Sequence, residues 1–248
     1  MPFAAETPRP ATQVAPRTPP AGEAGAPASP RADVVLAVEA LTKRYGSLVA
    51  VDGISFEVRR GETFGILGPN GAGKTTTLEM IEGLRKPDAG RITLLSLDAV
   101  RRRRAVQDRI GVQLQSQALW PELTVEETLK TFRALFKKRV SLETLLERFA
   151  LTEKRRSLVC DLSGGQKQRL SVATALVNDP EVVFLDEPTT GLDPQARRSF
   201  WDLIHDMSRE GKTVIVTTHY MEEAEALCER VAIMDRGRIM AMDSPREL

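Results

Sequence analysis

Phe64-Gly65-Ile66-Leu67-Gly68-Pro69-Asn70-Gly71-Ala72-Gly73-Lys74-Thr75-Thr76 reads as a buried strand, a glycine-rich loop and the opening of a helix. The loop fits G-x-x-x-x-G-K-[ST], the phosphate-binding pattern. Gly68, Gly71 and Gly73 let the backbone turn where side chains would clash and let it approach a ligand closely. Successive N–H groups from Asn70 through Thr76, Ala72 among them, then form an anion nest at a helix N-terminus, where the dipole favours phosphate, while Pro69, which has no N–H, helps shape the loop after Gly68. Lys74 brings a positive charge to the β- and γ-phosphates, and the Thr75 hydroxyl is placed for Mg²⁺. A chance glycine loop is the plainer alternative. The apolar strand before the pattern and Thr77-Leu78-Glu79-Met80-Ile81 after it argue against that. The loop announces a nucleoside triphosphate without saying what it is for.

The rest of the 248-residue chain sets bounds on the answer. Apolar residues make up 42% and charged residues 28%, the balance of a globular protein with one large core or two small ones. A formal net charge of +1 speaks against a strong nucleic-acid-binding field, and no nucleic-acid partner is expected. Cys160 and Cys228 lack metal-ligand spacing, as in a cytosolic protein with reduced thiols. No apolar run approaches the ~20 residues that span a bilayer, so a membrane role must come through another chain.

Residues 1–33 hold eight of the fifteen prolines and read as a disordered leader. A transit peptide is the rival reading, opposed by the proline. From Val34 the pattern changes. Val34 to Leu41 suggest a strand, Lys43 to Ser47 a turn, and Ile54, Phe56 and Val58 a half-buried strand. Arg91 to Leu95 form another short strand candidate. The basic run Arg101 to Arg104 reads as a solvated helix face or a contact with headgroups or a partner. Ile110 to Gln115 suggest a strand running into a glutamine-bearing loop.

Thr124 and Glu127 have capping-box spacing and open a helix with Val125, Thr128, Leu129, Phe132 and Phe136 on one side. A second helix starts near Ser141. Together they predict a helical insertion with a small core of its own, within a helical subdomain spanning about 116–178. Ser163 and Gln166 repeat the capping-box spacing before a third helix. Val182-Val183-Phe184-Leu185 is a buried parallel strand. Asp193 then Pro194 is an N-cap followed by proline at the first helical position. Thr213 to Thr217 form another buried strand, and Asp235-Arg236-Gly237 a hairpin-like turn.

Asp186 and Glu187 end the apolar strand, with Asp186 112 positions after Lys74. Parallel α/β sheets place ligands at the carboxyl ends of their strands. Asp186 is therefore a candidate to hold Mg²⁺ through water, and Glu187 to polarise an attacking water. A solvent-facing acid pair is the alternative.

Leu162-Ser163-Gly164-Gly165-Gln166 resembles the signature motif of ATP-binding-cassette ATPases, and it lies in that family's order between the phosphate loop and Leu185-Asp186-Glu187-Pro188. The resemblance covers roughly residues 34–248. It implies an α/β fold of the P-loop NTPase type: a mostly parallel sheet with an antiparallel β subdomain and a helical subdomain. It also implies ATP and Mg²⁺ as cofactors and a head-to-tail dimer in which each ATP lies between one domain's phosphate loop and the other's signature. Ser163, Gly164, Gly165 and Gln166 would then meet a γ-phosphate, with Ser163 also capping its helix.

By the same resemblance Tyr45 stacks on adenine, unless it is an ordinary turn tyrosine. Gln115 is the glutamine that senses Mg²⁺ and water and links to the membrane partner, with Gln113 and Gln117 nearby. Leu192-Asp193 forms the loop that crosses the dimer interface. His219, at a strand's carboxyl end, is the switch histidine on the γ-phosphate. With Glu187 and His219 both present, two equivalent hydrolysing sites are expected in a homodimer. The family reading makes the chain the cytoplasmic ATPase subunit of a transporter, peripheral on the inner face of the membrane through a transmembrane permease. The exporter group with separately encoded membrane subunits is most similar. Drug- and polysaccharide-exporter relatives often continue well past the position of Leu248, so whether a C-terminal extension that regulates or supports the dimer is absent or cut away is left open by the sequence. The rival is a soluble cassette ATPase acting in assembly or repair. Lys74 and Ser163 lie only 89 positions apart, too few for the long coiled coils of the repair proteins.

Overall fold

The computed structural model describes residues 33–114 and 119–248. The leader reading therefore lies outside the described residues, as does Gln115.

Two sheets organise the chain. The first is antiparallel, built from β1 (Val34–Tyr45), β2 (Leu48–Arg59), β4 (Ala89–Leu94) and β5 (Leu97–Asp98) in the order β2-β1-β4-β5. The first strand runs on to Tyr45 rather than ending before Lys43, because Lys43, Arg44 and Tyr45 pair with Val51, Val49 and Leu48. The second sheet has six strands: β3 (Thr63–Leu67), β6 (Ile110–Gln113), β7 (Val182–Asp186), β8 (Thr213–Thr218), β9 (Arg230–Asp235) and β10 (Arg238–Asp243). Its order is β10-β9-β3-β8-β7-β6, parallel throughout except for the terminal β9–β10 hairpin.

The central strands β3, β7 and β8 are buried along their whole length. Side chains alternate across a strand, so each strand feeds two cores. Phe64, Ile66, Val182, Phe184 and Ile215 face the antiparallel sheet and α1 (Lys74–Ile81), where Phe56 stacks on Phe64 with ring centroids 5.4 Å apart. Val183, Leu185, Val214 and Val216 face the opposite side.

That second core is covered by helices. They are α3 (Val125–Ala134), α4 (Leu142–Arg148), α5 (Gly164–Ala175), α6 (Pro194–Arg209) and α7 (Met221–Leu227). The short α2 (Arg103–Gln107) lies before β6, and its arginines are exposed. The helical insertion does not keep a core to itself. Val125, Leu129, Leu145 and Phe149 belong to one continuous cluster with Leu170, Phe200 and the sheet residue Leu185. An amphipathic pattern tells which face is covered and not what covers it.

Register then sets the site. Leu67 pairs with Thr218 and Asp186 with Thr217, so β3, β7 and β8 end together at one edge of the sheet. The loop after β3, the acids after β7 and His219 after β8 all leave from that edge, where parallel sheets hold ligands.

Candidate functional site

The phosphate loop is wedged between neighbours that leave no room for side chains. A Cβ at Gly68 would collide with the carbonyl oxygen of Met234, and one at Gly73 with that of Ala50. Gly73 also has φ +104°, which L side chains rarely adopt. The Gly237 N–H donates to the Ala72 carbonyl at 2.9 Å, tying the loop to the β9–β10 turn. Helix α1 begins at Lys74 with Gly73 as its N-cap and no side-chain capping bond. Its first N–H groups are thus available to an anion.

Lys74 is 4% exposed. Its Nζ donates to the Gly68 and Pro69 carbonyls at 2.9 and 3.1 Å and pairs with Glu187 Oε1 at 3.1 Å. The ammonium is held over the loop by three oxygens rather than left to wander.

Asp186 accepts hydrogen bonds from the hydroxyls of Thr217 and Thr75. Burial pushes its carboxyl above the ordinary aspartate range, and the two hydroxyls pull the other way. Glu187 has left-handed backbone, φ 47°. Such a conformation costs a non-glycine residue about 1–2 kcal/mol. It is held by its own N–H, which donates to the Thr217 hydroxyl at 2.9 Å and lies 3.2 Å from the Thr217 carbonyl. The strained turn aims the side chain back into the site. Glu187 Oε2 lies 3.3 Å from His219 Nδ1 and accepts from the Thr190 hydroxyl at 3.3 Å.

Two clefts result. The first, 610 Å³, is bounded by Tyr45, Asn70, Lys74, Thr75, Thr76 and Glu187. Tyr45 sits at its mouth, with Arg85 5.3 Å from the ring centre. The second, 440 Å³, is bounded by Ser163, Gly164, Gly165, Gln166 and Asp193. Ser163 and Gln166 form a full capping box on α5, and Asp193 caps α6 through Ala196 N–H at 2.8 Å. The two clefts share no lining residue. Gln113 lies inside β6, buried, with its Nε2 donating to the Leu114 carbonyl at 2.8 Å.

A family model described as "ABC transporter" matches residues 51–190. The chain belongs to the ABC transporter family. It is an ATP-binding, ATP-hydrolysing cassette. Among curated relatives, Nod factor export ATP-binding protein I of Ralstonia nicotianae is 47% identical over 219 residues, covering 86% of this chain and 68% of that protein. The protein of the same name from Rhizobium etli is 45% identical over 213 residues, covering 84% and 67%. Among solved structures, cbiO1 from Clostridium perfringens, part of the ABC transporter complex cbiONQ, has a TM-score of 0.77 at 31% identity, covering 87% and 90%. The dimeric post-hydrolysis cassette MJ0796 bound to ADP and Pi has a TM-score of 0.76 at 26% identity, covering 85% and 99%.

Several residues around the cassette's clefts were not singled out by motif. Thr217 holds both acids. Glu223 is 1% exposed and accepts from the Thr189 hydroxyl at 2.7 Å and from Trp201 Nε1 at 3.3 Å, fastening the segment after Glu187 to α7. Arg236, in the β9–β10 turn, lines the phosphate-loop cleft. A polar residue at the end of a buried strand was the available signal for Thr217. For the other two the partners are distant in sequence, and no local pattern marks them. Among the described residues no helix is long and apolar enough to cross a membrane.

Proposed function

We propose that this cassette, spanning residues 34–248 with a helical part at about 116–178, is the ATPase subunit that drives a separate transmembrane export permease as a homodimer. The observation that carries the reading is the separation of the two clefts: one chain bears a phosphate loop and a signature that share no lining residue. A second copy, turned head to tail, brings its Ser163-Gly164-Gly165-Gln166 over the first copy's loop. The dimeric MJ0796 cassettes support that arrangement, and the Nod factor export relatives support the direction of transport. The permease partner puts the chain at the inner face of the membrane. The soluble-ATPase rival has no specific observation in its favour.

Within each composite site Tyr45 stacks on the base, and the loop N–H groups with Lys74 cradle the phosphates. Glu187 is the base. It accepts a proton from water as the water oxygen bonds to the γ-phosphorus and the bond to the β,γ-bridging oxygen breaks, releasing ADP and phosphate. Lys74 and the opposing Ser163 stabilise the charge that moves onto the phosphate oxygens. His219 and Thr190 hold the Glu187 carboxylate in line.

The residues present fit a magnesium ion. Thr75 and Asp186 already share a hydrogen bond, and burial disfavours the charged Asp186 carboxylate, a cost that a cation beside it would offset. No cluster of three acidic, histidine or cysteine ligands occurs among the described residues. That suits an ion that takes most of its oxygens from phosphate and water, with Thr75 and Asp186 supplying the protein's share and Gln115 a further contact. Such an ion, when bound, neutralises developing phosphate charge.

The test is Glu187→Gln. The variant should retain ATP and form a stable dimer with turnover reduced at least about a hundredfold. Wild-type turnover in that variant, or no ATP-dependent pairing with hydrolysis blocked, would refute the scheme.

A further inference from the structure

Glu223 is a buried acid that lines neither cleft. It sits in α7, four positions after His219, and Tyr220 between them is the N-cap of that helix. A carboxyl taken out of water must find donors, and Glu223 finds them on two other segments. Its Oε1 accepts from the Thr189 hydroxyl at 2.7 Å and from Trp201 Nε1 in α6 at 3.3 Å. A single oxygen therefore joins α7 both to α6 and to the segment between Glu187 and Asp193.

That segment faces two ways. Thr189 is buried, and its carbonyl accepts from the Leu192 N–H at 3.1 Å, which shapes the loop that carries Gly191, Leu192 and Asp193 along the signature cleft. Thr190, its neighbour, donates its N–H to the Glu187 carbonyl at 3.2 Å and its hydroxyl to Glu187 Oε2 at 3.3 Å. Thr189 thus stands between the base and the loop. A second clasp lies alongside. Arg197, in the first turn of α6, holds its guanidinium 5.0 Å from the centre of the Tyr220 ring, and that ring lies 4.0 Å from the ring of His219. The segment from His219 to Glu223 is fastened on both sides of the loop at 191–193.

We propose that Glu223 is a positioning residue that makes the His219 segment and the interface loop move as one body, so that nucleotide at one site of the dimer sets the geometry of the other. The inference rests on the homodimer reading above and adds the residue that links its two sites. In the head-to-tail pair, His219 and Glu187 serve the chain's own phosphate loop, while Gly191 to Asp193 border the nucleotide held by the partner. A stiff tie carries a shift at His219 to the loop, and a shift of the loop back to Glu187 through Thr190. The tie needs a buried acceptor oxygen and not a negative charge, because both donors are neutral. Glutamine at position 223 supplies one, and alanine does not.

The experiment measures turnover of the full chain against ATP concentration for wild type, Glu223→Gln, Glu223→Ala, Thr189→Val and the pair Glu223→Ala with Thr189→Val. Thr189→Val keeps the shape and leaves Glu223 bonded to Trp201, so it cuts the tie from the far end even where Glu223→Ala does not fold. Glu223→Ala and Thr189→Val should each lower kcat at least about tenfold and bring the Hill coefficient from about 2 toward about 1. ATP affinity at protein concentrations too low for pairing should stay within about twofold, because neither residue lines the cleft. The pair should be no worse than the poorer single variant within about twofold. Glu223→Gln should keep the wild-type Hill coefficient and a kcat within about threefold. Wild-type kcat and Hill coefficient in Thr189→Val, a Glu223→Gln as impaired as a folded Glu223→Ala, losses that multiply in the pair, or a wild-type Hill coefficient of about 1 would each overturn the inference and leave the dimer reading intact. A Glu187→Gln variant that stays monomeric with ATP would overturn both.

Discussion

Glu82 offers a sharp test of the packing beneath α1. Its carboxyl is pushed up from 4.5 to about 8, first by burial and then by the charges of Asp186 and Glu79. An acid whose folded-state pKa lies above its unfolded value binds more protons folded than unfolded. Its contribution is therefore favourable at low pH and is lost as pH rises from 4.5 toward 8. At about pH 7 the folded chain holds a proton that the unfolded chain would release across roughly 2.5 pH units, which at ~1.4 kcal/mol per unit is a penalty of about 3 kcal/mol. Glu82→Gln has no proton to hold. The variant should match wild type near pH 4.5, apart from a constant offset, and gain on it by about 3 kcal/mol at neutral pH. For a domain of this size that is a Tm difference of roughly 6–12 °C. Urea unfolding followed by circular dichroism at half-unit steps from about pH 5 to 8 measures it, since the other titrating groups are common to both proteins and cancel in the difference. A gap that stays flat with pH would refute the reasoning.

Other expectations bear on the loop, the acids and the thiols. Gly73→Ala must adopt φ +104° and meet the Ala50 carbonyl, so it should lose at least about 2 kcal/mol of stability and most nucleotide affinity, checked by thermal melts with and without ATP. Glu223→Ala leaves the Thr189 hydroxyl and Trp201 N–H without their acceptor; a loss of about 1–3 kcal/mol in denaturant unfolding is expected, together with slower turnover. Thr217→Val removes the hydroxyl that donates to Asp186 and accepts from the Glu187 N–H, so turnover should fall with the fold retained. Maleimide should label Cys160, which is exposed, and spare native Cys228, which is buried with its thiol pKa raised by that burial.

Much of the fold was legible because its signals are local. The strand–loop–helix at Phe64–Thr76 carries its geometry in its own glycines, and the capping boxes at Thr124 and Ser163 form as their spacing predicts. The acids at 186 and 187 and His219 could be placed at one sheet edge because parallel strands share a direction, and register brings Glu187 within 3.3 Å of both Lys74 and His219.

What the amino-acid order determined by itself is a nucleotide loop, a signature and the strands and helices that carry them, since each depends on neighbours a few positions away. Only the tertiary structure decided that the helical insertion shares its core with the sheet, that the loop and signature face different clefts, and that Glu82 Oε2 and Asn178 Oδ1 are buried with no hydrogen-bond partner among the described residues. Those facts turn on which distant segments meet and on how many donors arrive there, and burial makes each missing donor costly in a way no periodicity records.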